Sequence, residues 1–108
     1  MSDVCTKMAE RLIKVLERLD EAEALYGTEH RYAALGKVGA AFTSLALAYA
    51  HGVIDREDWK TLSKPLASAR KAILEGQPLP VTMEKLDSAR KAIVEKMVEV
   101  VKACRSRT

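Results

Sequence analysis

Apolar residues recur at steps of three and four along most of this 108-residue chain. In the first segment, these positions are Met8, Leu12, Val15, Leu19, Ala22 and Tyr26. Such spacing places apolar side chains on one face of an α-helix. Four segments show this spacing, and the sequence therefore predicts four helices, at about 3–26, 29–51, 56–75 and 83–104.

Turn and capping residues separate the four segments. Gly27 stands where a left-handed residue would end the first helix, and Thr28 is the predicted N-cap of the second. Asp55 is the predicted N-cap of the third helix. The linker 77–80 contains two prolines that favour extended backbone, so Thr82 is the predicted N-cap of the fourth helix.

The expected architecture is all-α. Four helices joined by short connections favour an antiparallel up-and-down bundle, and a chain of this length forms a single domain with one core, here residues 1–108. Pro65 lies inside the third segment, yet one apolar phase continues through it. The sequence therefore predicts one helix with a kink at Pro65.

A ten-residue pattern occurs twice, at 66–75 and 86–95, and ends in SARKAILE at 68–75 and SARKAIVE at 88–95. Its inward positions are predicted to be Leu66, Ala69 and Ile73 in the first copy and Leu86, Ala89 and Ile93 in the second. The Arg-Lys pair of each copy falls outside this stripe or at its edge. The repeat is therefore interpreted first as a packing device, with basic side chains that cover the bundle and pair locally.

A functional interpretation of the same cations is a surface for nucleic acid or an acidic partner. The net charge of +3 is small for a dedicated nucleic-acid-binding protein, so this stays the alternative. The candidate surface consists of Lys60, Lys64, Arg70, Lys71, Arg90, Lys91, Lys102, Arg105 and Arg107.

The second segment is apolar on more than one face. It is expected either to be the central helix of the bundle or to meet another chain. Its candidate helix–helix interface consists of small residues: Gly36, Gly39, Ala40 and Thr43. The run 32–50 has nearly the length of a membrane span, but Lys37 near its middle favours packing against protein, so no membrane partner is expected.

Cys5 and Cys104 lie near opposite ends of the chain, in phase with their apolar stripes. An up-and-down bundle would bring them to the same end, which makes them a candidate disulfide; two buried free thiols are the alternative. His51 would lie near the same end, which raises a Cys/His metal or thiol site as a minor alternative. No Cys-x-x-Cys spacing supports it, so no metal is predicted.

Composition suggests a heat-adapted source. The chain has no Asn and a single Gln, whereas charged residues make up 31%; depletion of labile amides with abundant opposite charges is typical of thermophiles. No export signal is recognised at the start, so the expected location is cytoplasmic.

No pattern of catalytic residues stands out. The chain lacks the Glu-x-x-His pair of di-iron bundles, a glycine-rich phosphate loop and an acid–base constellation. We therefore expect no enzyme, catalytic residue, cofactor or small-molecule substrate. The predicted function is a structural or protein-interaction module that forms a homo-oligomer or a small subunit of a larger assembly; the alternative is a nucleic-acid-binding accessory protein with a basic face on helices three and four.

Overall fold

The computed structural model describes residues 3–107, which contain four α-helices and no strand. The helices are α1 (Val4–Gly27), α2 (Arg31–Ala50), α3 (Arg56–Leu74) and α4 (Leu79–Ser106). Helix α1 packs against α2 and α4, and α3 packs against the same two helices. The prediction of an all-α protein of four mutually packed helices is confirmed, and α3 runs through Pro65 as one element.

The core is formed by the predicted apolar stripes. Leu12, Val15 and Leu19 of α1 are fully or almost fully buried. All six inward positions of the repeat are buried as well, which confirms their predicted packing role: Leu66, Ala69, Ile73, Leu86, Ala89 and Ile93. The repeated letters of α3 and α4 are therefore explained, on the inward side, by the core that both helices share.

Helix α2 buries one side only. Its core residues are mostly small, namely Ala34, Val38, Ala41, Leu45 and Ala48. Helices α1 and α3 flank it, and most residues on the opposite side are exposed. Of the two arrangements expected for this helix, a central position covered on several sides within the bundle is not found, because its two neighbours leave its outer side open.

The N-cap of α3 follows the prediction from the sequence, whereas that of α2 does not. Asp55 and Asp58 form a capping box at the start of α3, as predicted from Asp55. Thr28 is not the N-cap of α2: its hydroxyl donates to carbonyl oxygens of α1. His30 occupies the N-cap position without a side-chain capping hydrogen bond, and its Nδ1 lies 3.0 Å from the Thr28 hydroxyl. The hydroxyl satisfies orphan carbonyls at the end of α1 instead.

The left-handed residue after α1 is also different from the prediction. Gly27 is the last helical residue, and Glu29 has the positive φ, 67°. A Cβ at Gly27 would lie 3.3 Å from Cε of Met83 in α4. Gly27 therefore lies against the Met83 side chain of α4 and does not form the left-handed turn.

Helix α4 begins at Leu79, four residues before the predicted start at Met83. Pro78 is its N-cap and Pro80 lies in the first turn. The N–H groups of the first turn have no partner within the helix, so the missing N–H of proline costs no helical hydrogen bond there. The prolines therefore start this helix and do not exclude it. Thr82 is consequently an internal residue, fully buried, and its hydroxyl has no hydrogen-bond partner among the described residues.

At one end of the molecule, side chains join the α1–α2 turn to the α3–α4 turn. Nε of Arg31 donates to the carbonyl oxygen of Ile73 at 2.7 Å, and the same guanidinium donates to that of Leu74. The hydroxyl of Tyr26 donates to the carbonyl oxygen of Gln77 at 2.5 Å. Arg31 thereby places a positive charge at the C-terminal end of α3, where the helix dipole favours it.

Another tie joins the start of α1 to the end of α4. The Cα atoms of Cys5 and Cys104 are 5.6 Å apart, and their sulfur atoms lie at disulfide distance. Both side chains are buried. The predicted proximity of the two cysteines is confirmed.

We predict that a Cys5–Cys104 disulfide stabilises the fold by restricting the unfolded chain. The residues are separated by 99 positions, for which loop-closure entropy gives an upper figure of about 4–5 kcal/mol. Adding reductant should therefore lower the urea midpoint of the parent protein and leave that of a Cys5→Ser/Cys104→Ser variant unchanged. Full reaction of both thiols with a maleimide in denaturant without reductant would contradict the prediction.

Candidate interaction surfaces

The outer side of α2 is an uncharged exposed strip, here called the α2 ridge. It consists of Tyr32, Ala33, Gly36, Gly39, Ala40, Thr43, Leu47 and Ala50; all are exposed except Ala40, which is half-buried. Tyr32 and Leu47 are 79% and 46% exposed. The four residues predicted as a helix–helix interface all lie on this ridge, between the two larger side chains.

Two of the ridge residues are glycines without a role inside the chain. A Cβ built on Gly36 or Gly39 meets no atom within 4 Å, and neither residue has positive φ. Gly52 and Gly76, by contrast, adopt φ of 74° and 64°. Alanine would therefore fit at Gly36 and Gly39 without a clash or backbone strain.

The charges at the border of the ridge are held by neighbouring helices. Nζ of Lys37 lies 2.6 Å from a carboxylate oxygen of Glu21 in α1, whose other oxygen is 2.6 Å from Arg18. Hydrogen bonds from Lys37 and Arg18 lower the pKa of Glu21. At the other end of α2, Tyr49 stacks on Trp59 of α3 with ring centroids 6.1 Å apart.

The predicted basic surface is divided among several places. Nε of Arg90 lies 2.9 Å from a carboxylate oxygen of Asp20, so this side chain is directed to α1 and its pKa is raised by that hydrogen bond. Lys91 and Lys102 are exposed on α4, with exposed Glu95 between them at helical spacing. Arg105 and Arg107 belong to the last turn and C-cap of α4.

Helix α3 carries a separate cationic strip, here called the α3 basic face: Arg56, Lys60, Lys64, Arg70 and Lys71, all exposed. Four of these were among the predicted residues, and Arg56 was missed. Its spacing of four from Lys60 was the available signal. Among residues 3–107, Lys60 contacts Glu57 at 3.9 Å, whereas Lys64, Arg70 and Lys71 form no ion pair.

The cysteines and His51 do not assemble a metal site in the described residues, where no three His, Cys, Asp or Glu side chains come together. The two sulfur atoms face each other at disulfide distance, and His51 is the exposed C-cap of α2. Sulfurs joined in a disulfide are not thiolate ligands. The minor Cys/His alternative therefore gains no support from this geometry.

A cleft of about 660 Å³ lies near the cysteine end, between Met8, the α2–α3 turn and α4. Its wall includes Nζ of Lys96, which lies 2.7 Å from oxygens of both Asp58 and Glu99. Burial opposes ionisation of Asp58, but hydrogen bonds from Lys96 and the backbone N–H of Asp55 outweigh it and lower the pKa. The hydrogen bond to Asp58 raises the pKa of Lys96. One ammonium group thus lies between two carboxylates, and its contact with Asp58 joins α3 to α4.

No family model, curated protein or solved structure matches the chain. By length and mean hydropathy, α2 is the one helix within residues 3–107 that reaches the minimum for a membrane span, a test that core helices also pass.

The Lys96–Asp58 pair predicts a pH-dependent contribution to stability. Replacing Lys96 by Met should lower the free energy of unfolding by about 1 kcal/mol at neutral pH. The lowered pKa of Asp58 makes its contribution full above about 3.8 and lost as pH falls through the folded value. The raised pKa of Lys96 makes its contribution full below about 10.5 and lost as pH rises through the folded value.

Urea unfolding across this range measures the difference between parent and variant. Lys91→Met is the matched control, because Lys91 is exposed and has no ion pair among the described residues. A difference for Lys96→Met that stays constant from acidic to neutral pH would contradict the assigned role of the pair.

Proposed function

We propose that the protein is a non-enzymatic interaction module that self-associates through the α2 ridge. The observation that carries the proposal is the pair Gly36 and Gly39. Glycine inside a helix is less favourable than alanine by about 1 kcal/mol, and neither residue has a contact or a φ that requires it within the chain. Close packing of a second helix against Gly36 and Gly39 would explain why glycine occupies both positions.

The chemistry of the ridge supports burial against protein. None of its residues is charged, in a chain with 31% charged residues, so its burial leaves no charge unpaired. Tyr32 and Leu47 contribute the largest exposed apolar side chains of the ridge. Aromatic and apolar anchors around a tightly packed centre are typical of protein interfaces.

The order of residues along the ridge supports a second copy of this chain as the partner. In an antiparallel pair whose register places Gly39 opposite Ala40, Gly36 lies opposite Thr43 and Tyr32 lies opposite Leu47. Small residues then meet at the centre, and each end brings one large side chain from either copy. A twofold interface requires this kind of self-complementarity.

The size of the ridge favours a modest affinity. A 20-residue helix is about 30 Å long and about 10 Å wide, which is a smaller footprint than the roughly 800 Å² per partner of a standard interface. Side chains of α1 and α3 beside the ridge would have to contribute the remainder. We expect dissociation constants in the micromolar range, and a stable monomer at low concentration.

We also propose that the four helices alternate in direction and that α3 is kinked at Pro65. Helices that alternate in direction are supported by the Cys5–Cys104 proximity at one end and by the contact of Arg31 with the last turn of α3 at the other. A kink at Pro65 is supported by its missing N–H and by its ring, which crowds the carbonyl of Thr61.

The growth temperature of the source and the cellular location of the protein are predicted from the sequence alone. The amide-poor composition supports function at high temperature. The cytoplasm remains the predicted location. The predicted partner of the ridge is a second copy of the chain and not a membrane.

Leu47→Glu should abolish self-association, because the pair would bury a carboxylate at both ends of the ridge. Val98→Glu is the matched control: Val98 is 44% exposed, close to the 46% of Leu47, but lies on α4. Sedimentation velocity from micromolar to millimolar protein should show a monomer–dimer equilibrium for the parent and the control only. A parent that stays monomeric throughout would refute the dimer, and vesicle binding lost in Leu47→Glu would assign the ridge to a membrane.

Gly36→Ala/Gly39→Ala should stabilise the monomer and weaken the dimer. Each replacement raises helix propensity by up to about 1 kcal/mol, while the added methyl groups separate the two α2 helices. Urea unfolding at low concentration measures the first effect, and sedimentation measures the second. Ser88→Ala on α4 is the control, since it favours helix but lies off the ridge; unchanged dimerisation in the glycine variant would argue against close helix packing.

A further inference from the structure

We propose that the α3 basic face binds the sugar–phosphate backbone of a nucleic acid. The proposal concerns a different helix from the α2 ridge and does not depend on self-association. It also differs from the sequence-based hypothesis, because it excludes the cations of α4 and includes Arg56.

The cations of the face are arranged along one side of a helix. Arg56, Lys60 and Lys64 follow each other at steps of four, and Lys71 continues the same side seven residues later. Arg70 widens the strip next to Lys71. From Arg56 to Lys71 the strip is about 22 Å long, which corresponds to about six nucleotides along one strand of a DNA duplex at 3.4 Å each.

The positive charge of this strip is little neutralised by the protein. Between Asp58 and the C-cap residue Glu75, helix α3 has no acidic residue, and α2 beside it has none at all. Glu75 lies four residues after Lys71 and is exposed, but it forms no ion pair with Lys71 among the described residues. Lys64, Arg70 and Lys71 form no ion pair with the described residues. Helix α1, which has five acidic residues against four cations, gives the molecule a contrasting side.

The surroundings of the cations favour phosphate over an acidic protein. Along the outer side of the strip, Ala67 lies between Lys64 and Lys71 in the helical sequence. Leu74, at the end of the strip, is the one exposed large apolar side chain that the described part of α3 carries. Protein interfaces gain most of their affinity from buried aromatic and apolar anchors. Binding to a phosphate backbone needs only positioned cations, and the absence of an aromatic side chain from the strip implies no base stacking and little sequence preference.

The test is fluorescence polarisation with a labelled mixed-sequence DNA duplex two helical turns long, over a series of salt concentrations. Non-specific binding of this kind has dissociation constants of about 10⁻⁴ to 10⁻⁶ M at physiological salt. Lys64→Glu/Lys71→Glu should weaken binding at least tenfold at low salt. The slope of log affinity against log salt should become shallower by about 2, one phosphate contact for each lysine.

The control is Lys91→Glu/Lys102→Glu on α4, which changes the net charge by the same amount and should retain most of the affinity. Circular dichroism and urea unfolding establish that both double variants fold. Equal losses in the two variants would show that only net charge matters and would overturn the site, as would no binding by the parent at low salt. Equally tight binding of poly-glutamate would assign the face to an acidic polypeptide. Leu47→Glu should bind the duplex whether or not it dimerises, which separates this result from that of the ridge.

Discussion

The core side of α2 consists mostly of small side chains, and the attachment of this helix to the bundle depends on that constraint. Ala34, Ala41 and Ala48 are fully buried on its core side, and each buries little apolar area compared with a leucine. The helix is therefore also fastened at its margins, by Lys37 to α1, by Arg31 to the end of α3 and by Tyr49 stacked on Trp59. These contacts direct both charged residues of α2 and Tyr49 toward the neighbouring helices, and the outward ridge is left without charge.

Periodicity predicted the helices and their inward residues because burial depends on which face a residue occupies. The ends of the helices were harder to predict, since several local solutions compete there. The sequence predicts an extended linker at Pro78 and Pro80, yet the same prolines fit an N-cap and a first turn. Thr28 was equally suited to cap α2 or to bond backwards to α1, and the structure has the second arrangement.

The two copies of the repeat illustrate why a surface is harder to predict than a core. Arg70 and Arg90 occupy the same position in the same local sequence. Arg90 lies beside Asp20 because α4 packs against α1, whereas Arg70 forms no ion pair with the described residues. The charge environment of an exposed arginine is set by the neighbouring helix, which the local sequence does not contain.

The proposed dimer and the proposed nucleic-acid surface are coupled by symmetry. Helices α1 and α3 flank α2, and the twofold axis of an antiparallel, face-to-face α2 pair lies across the two helices in the plane of the interface. That axis keeps both α3 helices on one side of the dimer and both α1 helices on the other. The two basic faces would then repel each other across the dimer, more strongly at low salt. A bound phosphate backbone would neutralise both, so nucleic acid and self-association would favour each other through the same arrangement of helices.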